Sequence, residues 1–246
     1  MDPVADAETI ETELMLADIE SIEKRLQNLS RKIRGGEKEA VEQDRLLRLA
    51  LGVLENGQPA RTLNIVEEDF RTWDMLQLLT AKPILYVCNV DEEKAASGNT
   101  YSEAVEKMAK AHGAASVVIS AAIEEEISQL ESEEANMFLE EMGLDQPGLN
   151  KLIEAGYDLL ELQTYFTCGP KETRAWTIQK GVSAPQAAGV IHGDFEKGFI
   201  RAETIAFEDY IALGGESAAR DAGKLRAEGK NYIVQDGDVM HFLHSN

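Results

Sequence analysis

The run Ile84-Leu85-Tyr86-Val87-Cys88, set between Pro83 and Asn89, constrains this chain more than any other stretch. Five consecutive apolar residues do not alternate in and out. They suit a strand covered on both faces, as parallel strands are. Pro83 fits the first position, where no ladder donor is needed. A second run, Ser116-Val117-Val118-Ile119, follows an amphipathic segment from Tyr101 to His112. Strand, helix, strand is a βαβ unit, so its two strands are expected to be parallel. Ser102 is the expected N-cap of the helix and Gly113 its C′ residue.

Open parallel sheets collect binding groups just past the carboxyl ends of their strands. Here the first strand ends in Asn89-Val90-Asp91-Glu92 and the second in Ser120-Ala121-Ala122-Ile123-Glu124. An Asn followed by two acids suits the donor edge of a base. An Asn cap with acids in a first helical turn has the same appearance. Spacing alone leaves both readings open.

On the amino-terminal side, residues 6–56 read as two helices. Met15, Ile19, Ile22, Leu26, Leu29 and Ile33 repeat at 4-3-4-3-4, a coiled-coil seam. Gly35-Gly36 breaks the helix, and Leu47, Leu51 and Leu54 mark a second stripe, interrupted at Asp44. A short connection makes the two helices antiparallel neighbours. Arg31, Lys32, Arg34 and Lys38 flank the glycines. These bases suit a helix C-terminus, and they equally suit a tip that touches RNA. Residues 67–78 read as a helix with Phe70, Trp73, Met75, Leu76 and Leu79 available for packing. Residues 127–142 read as an acidic helix, and 149–159 as another.

From Leu160 the pattern turns β-rich. Strands are expected over 162–167, 174–178 and 199–205, helices from Ala184 and over 216–228. A hairpin is expected across Asp236-Gly237, between 232–234 and 239–244. Ser183 is the cap before Ala184-Pro185.

With 24 Lys and Arg against 45 Asp and Glu, the net charge of −21 opposes non-specific nucleic-acid binding by the chain as a whole. No apolar run approaches the ~20 residues of a membrane span. Cys88 and Cys168 are the only cysteines, too few for a disulfide framework, which points to a reducing, cytoplasmic setting. The four histidines show no metal-ligand spacing, so no metal site and no catalytic residue is assigned. His192-Gly193-Asp194 reads as turn chemistry.

Residues 79–92, LTAKPILYVCNVDE, resemble the fourth guanine-nucleotide motif of translational GTPases in its N-x-x-E form. That form marks the Obg-like GTPases of the YchF (EngD) type. QTYFTCGPKETRAWTI at 163–178, APQAAGVIHGDFEKGFIRAE at 184–203 and GKNYIVQDGDVMHF at 229–242 resemble that family's C-terminal TGS domain. The segment 120–124 resembles the fifth nucleotide motif, S-A-x-x-E. The family's P-loop, G-x-x-x-x-G-K-[ST], and its D-x-x-G switch do not occur in this sequence. The chain's opening resembles a point inside the family's nucleotide domain, so an amino-terminally shortened form is expected.

The resemblance implies an α/β plus α+β architecture. Residues 1–60 form a helical coiled-coil hairpin inserted in a partial, Rossmann-like P-loop NTPase domain. Residues 61–159 are the second half of that domain, and 160–246 a β-grasp, ubiquitin-like TGS domain. It implies a purine-nucleotide partner, ATP or GTP with Mg²⁺, in a ribosome-associated hydrolase. Asn89, Val90, Glu92, Ser120, Ala121 and Ala122 would meet the base, and Arg31, Lys32, Arg34 and Lys38 the ribosome or RNA. This chain alone is expected to be inactive, without a bound cofactor, and able to pair with a second copy through its sheet or hairpin. The rival reading is a non-enzymatic RNA- or ribosome-binding module of coiled coil plus TGS domain.

Overall fold

Asp2 starts the first helix: its carboxylate accepts the Ala5 amide at 3.2 Å while Pro3 takes the position where a missing N–H does no harm. The computed structural model describes residues 2–245, and the chain divides into two units between Ala155 and Gly156.

In the first unit, α1 (Pro3–Arg34) and α2 (Lys38–Glu55) pack along each other. Gly36, at φ +82°, makes the turn between them. Ile22 and Leu29 of α1 meet Ala40, Leu46, Leu47, Ala50 and Leu54 of α2, with Met15, Ile19, Leu26 and Ile33 half-buried alongside. Asp44 turns outward to Arg48, at 2.8 Å, so the stripe of α2 shifts to Leu46 and Leu47.

The expected helix over 67–78 is shorter. A 3-10 turn, Glu67–Asp69, leads into α3 (Phe70–Leu76), which stops where Gln77 adopts a left-handed conformation at φ +51°. Trp73, Leu76 and Leu78 pack into the helical core, whereas Phe70, Met75 and Leu79 lie exposed. The following segment is held by Asp18, which is 2% exposed. Its carboxylate accepts the Leu79 amide at 2.9 Å, the Thr80 amide at 2.8 Å and the Thr80 hydroxyl at 2.6 Å. The Thr80 hydroxyl in turn accepts the Ala60 amide at 3.2 Å.

β1 (Leu85–Asn89), α4 (Thr100–Ala111) and β2 (Ala115–Ile119) form the βαβ unit, with the strands parallel and paired from Leu85↔Ala115 to Asn89↔Ile119. The cap of α4 is Asn99 rather than Ser102. Ser102 takes the third helical position and returns a bond to the Asn99 amide, a reciprocal capping box. The strands make a two-stranded sheet, and Val87 is 45% exposed, so β1 lacks the cover its composition predicts. The expected acidic helix is two, α5 (Ala121–Ile127) and α6 (Ser132–Glu141). Between them the Gln129 and Leu130 amides bond three residues back and the Ser128 hydroxyl donates to the Glu125 carbonyl, which ends the first helix. α7 (Gly148–Leu159) carries the chain into the second unit.

The second unit is a five-stranded mixed sheet of order β4-β3-β7-β5-β6. Its elements are β3 (Leu162–Cys168), β4 (Thr173–Gln179), α8 (Ala184–Ile191), α9 (Gly193–Lys197), β5 (Phe199–Ala206), α10 (Phe207–Leu213), α11 (Glu216–Asp221), β6 (Arg226–Glu228) and β7 (Asp238–His244). α8 lays Ala184, Ala187 and Ala188 on Tyr165, Met240 and Phe242, and the buried Tyr165 hydroxyl donates to the Ala187 carbonyl at 2.9 Å. The expected helix over 216–228 ends early because Gly223, at φ +71°, turns the chain and frees 226–228 to join the sheet. The expected hairpin at Asp236-Gly237 does not form. The Asp236 carboxylate accepts the Thr164 amide and the Gly237 amide donates to the Thr164 carbonyl, both at 2.8 Å, so this turn is fastened to β3. β7 is thereby directed between β3, its parallel neighbour, and β5. Among the described residues no helix is long and apolar enough to cross a membrane.

Candidate functional site

The carboxyl ends of β1 and β2 lie side by side, because Asn89 pairs with Ile119 and the Val90 amide donates to the Ile119 carbonyl at 2.9 Å. One residue further on, the Asn89 side chain crosses to the neighbouring turn. Its Oδ1 accepts the Ala121 amide at 2.9 Å. Only an oxygen can face that N–H, so the orientation of the side-chain amide follows from the backbone. The exposed Nδ2 group is then directed away as a free donor. Ala121 and Ala122 are the first residues of α5, whose opening amides lack intrahelical acceptors. Ser120 is 3% exposed, and its hydroxyl has no partner among the described residues.

The structure therefore brings Asn89 together with Ser120, Ala121 and Ala122. Val90 is 9% exposed and packs inward, because its backbone continues the ladder to β2. Glu92 is exposed and opens a 3-10 turn, Glu92–Lys94, capped by Asp91. Arg31, Lys32, Arg34 and Lys38 are exposed around the α1–α2 turn, some way along the helices from β1. His192 accepts the Asp194 amide at 3.2 Å and caps α9.

A groove of about 540 Å³ runs beside β1, lined by Ala7, Tyr86, Val87, Asn89, Asp91 and Tyr101 among others. That is the size of a small-ligand pocket. A second cleft of about 360 Å³ lies over Glu11, Tyr86 and His112. Its polar groups bond one another, though the buried Arg61 Nε has no partner among the described residues. Arg61 donates to both Glu11 oxygens, at 2.9 and 2.8 Å, and the Tyr86 hydroxyl also donates to Glu11. Burial pushes the Tyr86 hydroxyl, with help from Glu11, up to about 12. Burial opposes the Glu11 charge, but Tyr86 and Arg61 together hold its pKa below the ordinary value. Burial also raises the Cys88 thiol. A free donor, the Asn89 Nδ2 group, lies at the carboxyl end of β1.

Sequence reasoning missed two anchoring carboxylates. Glu124 accepts the Gly148 amide at 2.6 Å and the Leu149 amide at 3.1 Å. Asp18 falls on the helix face of Met15 and Ile22, and a charged residue on that stripe was the available signal.

A donor amide beside a helix start whose Ala122 N–H has no intrahelical acceptor suits a purine base, whose N7 is an acceptor in both adenine and guanine. The metal that accompanies a nucleotide is another matter. Among the described residues no three His, Cys, Asp or Glu side chains converge as ligands.

A family model named YchF-GTPase_C, described as a protein of unknown function (DUF933), matches residues 162–245. The ribosome-binding ATPase YchF of Haemophilus influenzae is 50% identical over 242 residues, which cover 98% of this chain and 66% of that protein. The protein of the same name from Bacillus subtilis is 50% identical over 244 residues, covering 98% of this chain and 67% of the relative. The solved YchF GTPase of Schizosaccharomyces pombe is 36% identical with a TM-score of 0.82, covering 98% of this chain and 66% of that one. A GTP-binding protein from Pyrococcus horikoshii, 18% identical with a TM-score of 0.64, covers all of this chain and 72% of its own and shares the fold. The chain thus spans about two thirds of the length of the curated relatives it matches.

Proposed function

This chain belongs to the YchF family, and from that membership we propose that it holds the base of a purine nucleotide in a ribosome-associated protein that hydrolyses ATP or GTP. The observation that carries this reading is the Asn89–Ala121 hydrogen bond of 2.9 Å, which fixes one end of the Asn89 amide and leaves Nδ2 to meet purine N7. The Ala122 amide is a further donor at the same turn, with the Ser120 hydroxyl buried beneath it. Glu92 stands where the N-K-x-D form of the motif has Asp. It is one methylene longer, so it meets the N1 and N2 donors of guanine less well and relaxes the preference for GTP. Val90 stands in place of Lys and leaves the base without that side chain's cover. Phosphates and Mg²⁺ would be held by groups of the P-loop and switch types, which this sequence does not contain.

The rest of the reading assigns 1–60 to a helical hairpin, 61–159 to part of the nucleotide domain and 160–246 to a TGS domain of β-grasp type. The mixed sheet crossed by α8, together with the family match over 162–245, supports the last of these. The Haemophilus influenzae and Bacillus subtilis relatives are named ribosome-binding ATPases. We assign ribosome or RNA contact in this chain to Arg31, Lys32, Arg34 and Lys38, whose exposure at a helical turn supports it.

An NMR titration of the purified chain with ATP, GTP, CTP and UTP tests the base assignment. The purine nucleotides should shift the Asn89 side-chain amide and the Ala122 backbone amide, and the pyrimidines should not. Asn89→Ala should remove the purine response. Equal shifts with all four nucleotides, or an unchanged response in the variant, would overturn the assignment.

A further inference from the structure

We infer that Glu124 is the positioning residue of the base-holding turn, acting through Gly148. This inference rests on the base assignment above and adds to it the device that sets the turn's pitch.

The turn Ser120–Ala122 has few ties of its own. The Ser120 hydroxyl is unpartnered, and Ala121 is held from the front by Asn89. Its back is held by Glu124, one helical turn on, and both carboxylate oxygens are engaged. Oε1 accepts the Gly148 amide at 2.6 Å and Oε2 the Leu149 amide at 3.1 Å. These are the opening amides of α7, a twelve-residue helix whose N-terminus favours a negative charge. No Lys or Arg occurs between Ala111 and Asn150, so no cation of that stretch competes for the carboxylate.

Gly148 closes the bracket. A Cβ there would stand 3.0 Å from Glu124 Oε1, 3.0 Å from Ile119 Cγ2 and 3.1 Å from Ile119 Cβ. Ile119 pairs with Asn89 across the sheet and its carbonyl receives the Val90 amide. The same glycine therefore abuts the residue just before the turn and the residue that fastens it from behind. Any larger side chain at 148 pushes both at once. A carboxylate that only capped α7 would need neither a place in the first turn of α5 nor a helix start whose glycine abuts Ile119.

The test uses the whole chain and two variants, Glu124→Gln and Gly148→Ala, with Asn89→Ala as reference and the exposed Glu125→Gln as control. The Gln side chain keeps the shape but presents an NH₂ group to one of the two N–H donors. The measurements are the resonances of Asn89 and Ala121 in the free protein and the ratio of ATP to CTP affinity. A purely structural cap would leave that ratio unchanged even where it lowers the melting temperature. We expect both variants to shift the two resonances and to cut the ratio about ten-fold, equivalent to ~1.4 kcal/mol. Should Glu124→Gln fail to fold, Gly148→Ala addresses the same bracket from the opposite side. If Asn89→Ala cuts the ratio and neither other variant does, the positioning role is wrong and the base assignment stands. If Asn89→Ala also leaves it unchanged, both fall.

Discussion

Replacing Asp18 by Ala should be among the most damaging changes available to the first unit. The carboxylate is 2% exposed and receives three donors, two from Thr80 and one from Leu79. Leu79 is 44% exposed, so water can reach its amide once the carboxylate is gone. Thr80 is 2% exposed and has no such recourse. Two buried donors left unmatched at ~1.5–2 kcal/mol each give a loss of about 3–4 kcal/mol. That is a large part of the ~5–15 kcal/mol that holds a domain together. Asp18→Asn should recover much of the loss, because its oxygen can take both Thr80 donors and leave its NH₂ group facing only the Leu79 amide. The two tryptophans fall one in each unit, and Trp73 packs against the helical core. In a Trp176→Phe background, Trp73 fluorescence during urea unfolding therefore reports the first unit alone. The expected result is a lower midpoint at unchanged slope. A loss under about 1 kcal/mol for Asp18→Ala would refute the count of unmatched donors.

Three further outcomes are expected. Changing Arg31, Lys32, Arg34 and Lys38 together to Ala should weaken ribosome co-sedimentation and flatten its dependence on salt, by about 0.7–0.9 in log–log slope per lost phosphate contact; an unchanged slope excludes the tip from the contact. The folded pKa of Tyr86 lies at about 12 against an ordinary 10.0, so its contribution to stability is complete below pH 10.0 and is lost as pH rises toward 12. Tyr86→Phe should remove that part of the alkaline loss, read from unfolding curves across the same pH window. Gly98→Ala should cost about 1–2 kcal/mol, since φ is +71° and the new Cβ would lie 2.6 Å from the Ser102 hydroxyl that closes the α4 capping box. Thermal melts of that variant beside Ser102→Ala should show overlapping, non-additive losses.

The parts of this molecule legible in its sequence are those whose cause is local. The seam of α1, the βαβ unit and the capped start of α8 follow from spacing and from residues a few positions apart. Asn89 and Ser120–Ala122 were legible because strand ends are predictable and parallel strands bring their ends together. What escaped depends on partners far along the chain. Asp236-Gly237 has the composition of a hairpin turn, but Thr164, 72 residues upstream from Asp236, takes its hydrogen bonds. Glu124 closes the S-A-x-x-E resemblance, but its anchoring role shows only when Gly148 is seen beside it. Ser102 and Asn99 are both good caps, and only the backbone shows which stands outside the helix. The cover of β1 was overestimated because an apolar run states a preference for burial and does not name what provides it.

The place of β7 bears on the order in which this protein is made. The last strand in sequence is the middle strand in space, with β3 on one side and β5 on the other. While a ribosome is still adding residues 238–244, β3 with β4 and β5 with β6 are two separate ribbons without a shared ladder. Such two-stranded pieces are marginal alone. The sheet therefore closes only once β7 is available, bringing β7 to β3 from about seventy residues away in sequence, which is slow and leaves edges exposed in the meantime. Deleting those seven residues would take out the spine of the sheet rather than trim its margin. The nascent second unit is thus a natural client for chaperones until β7 is in place.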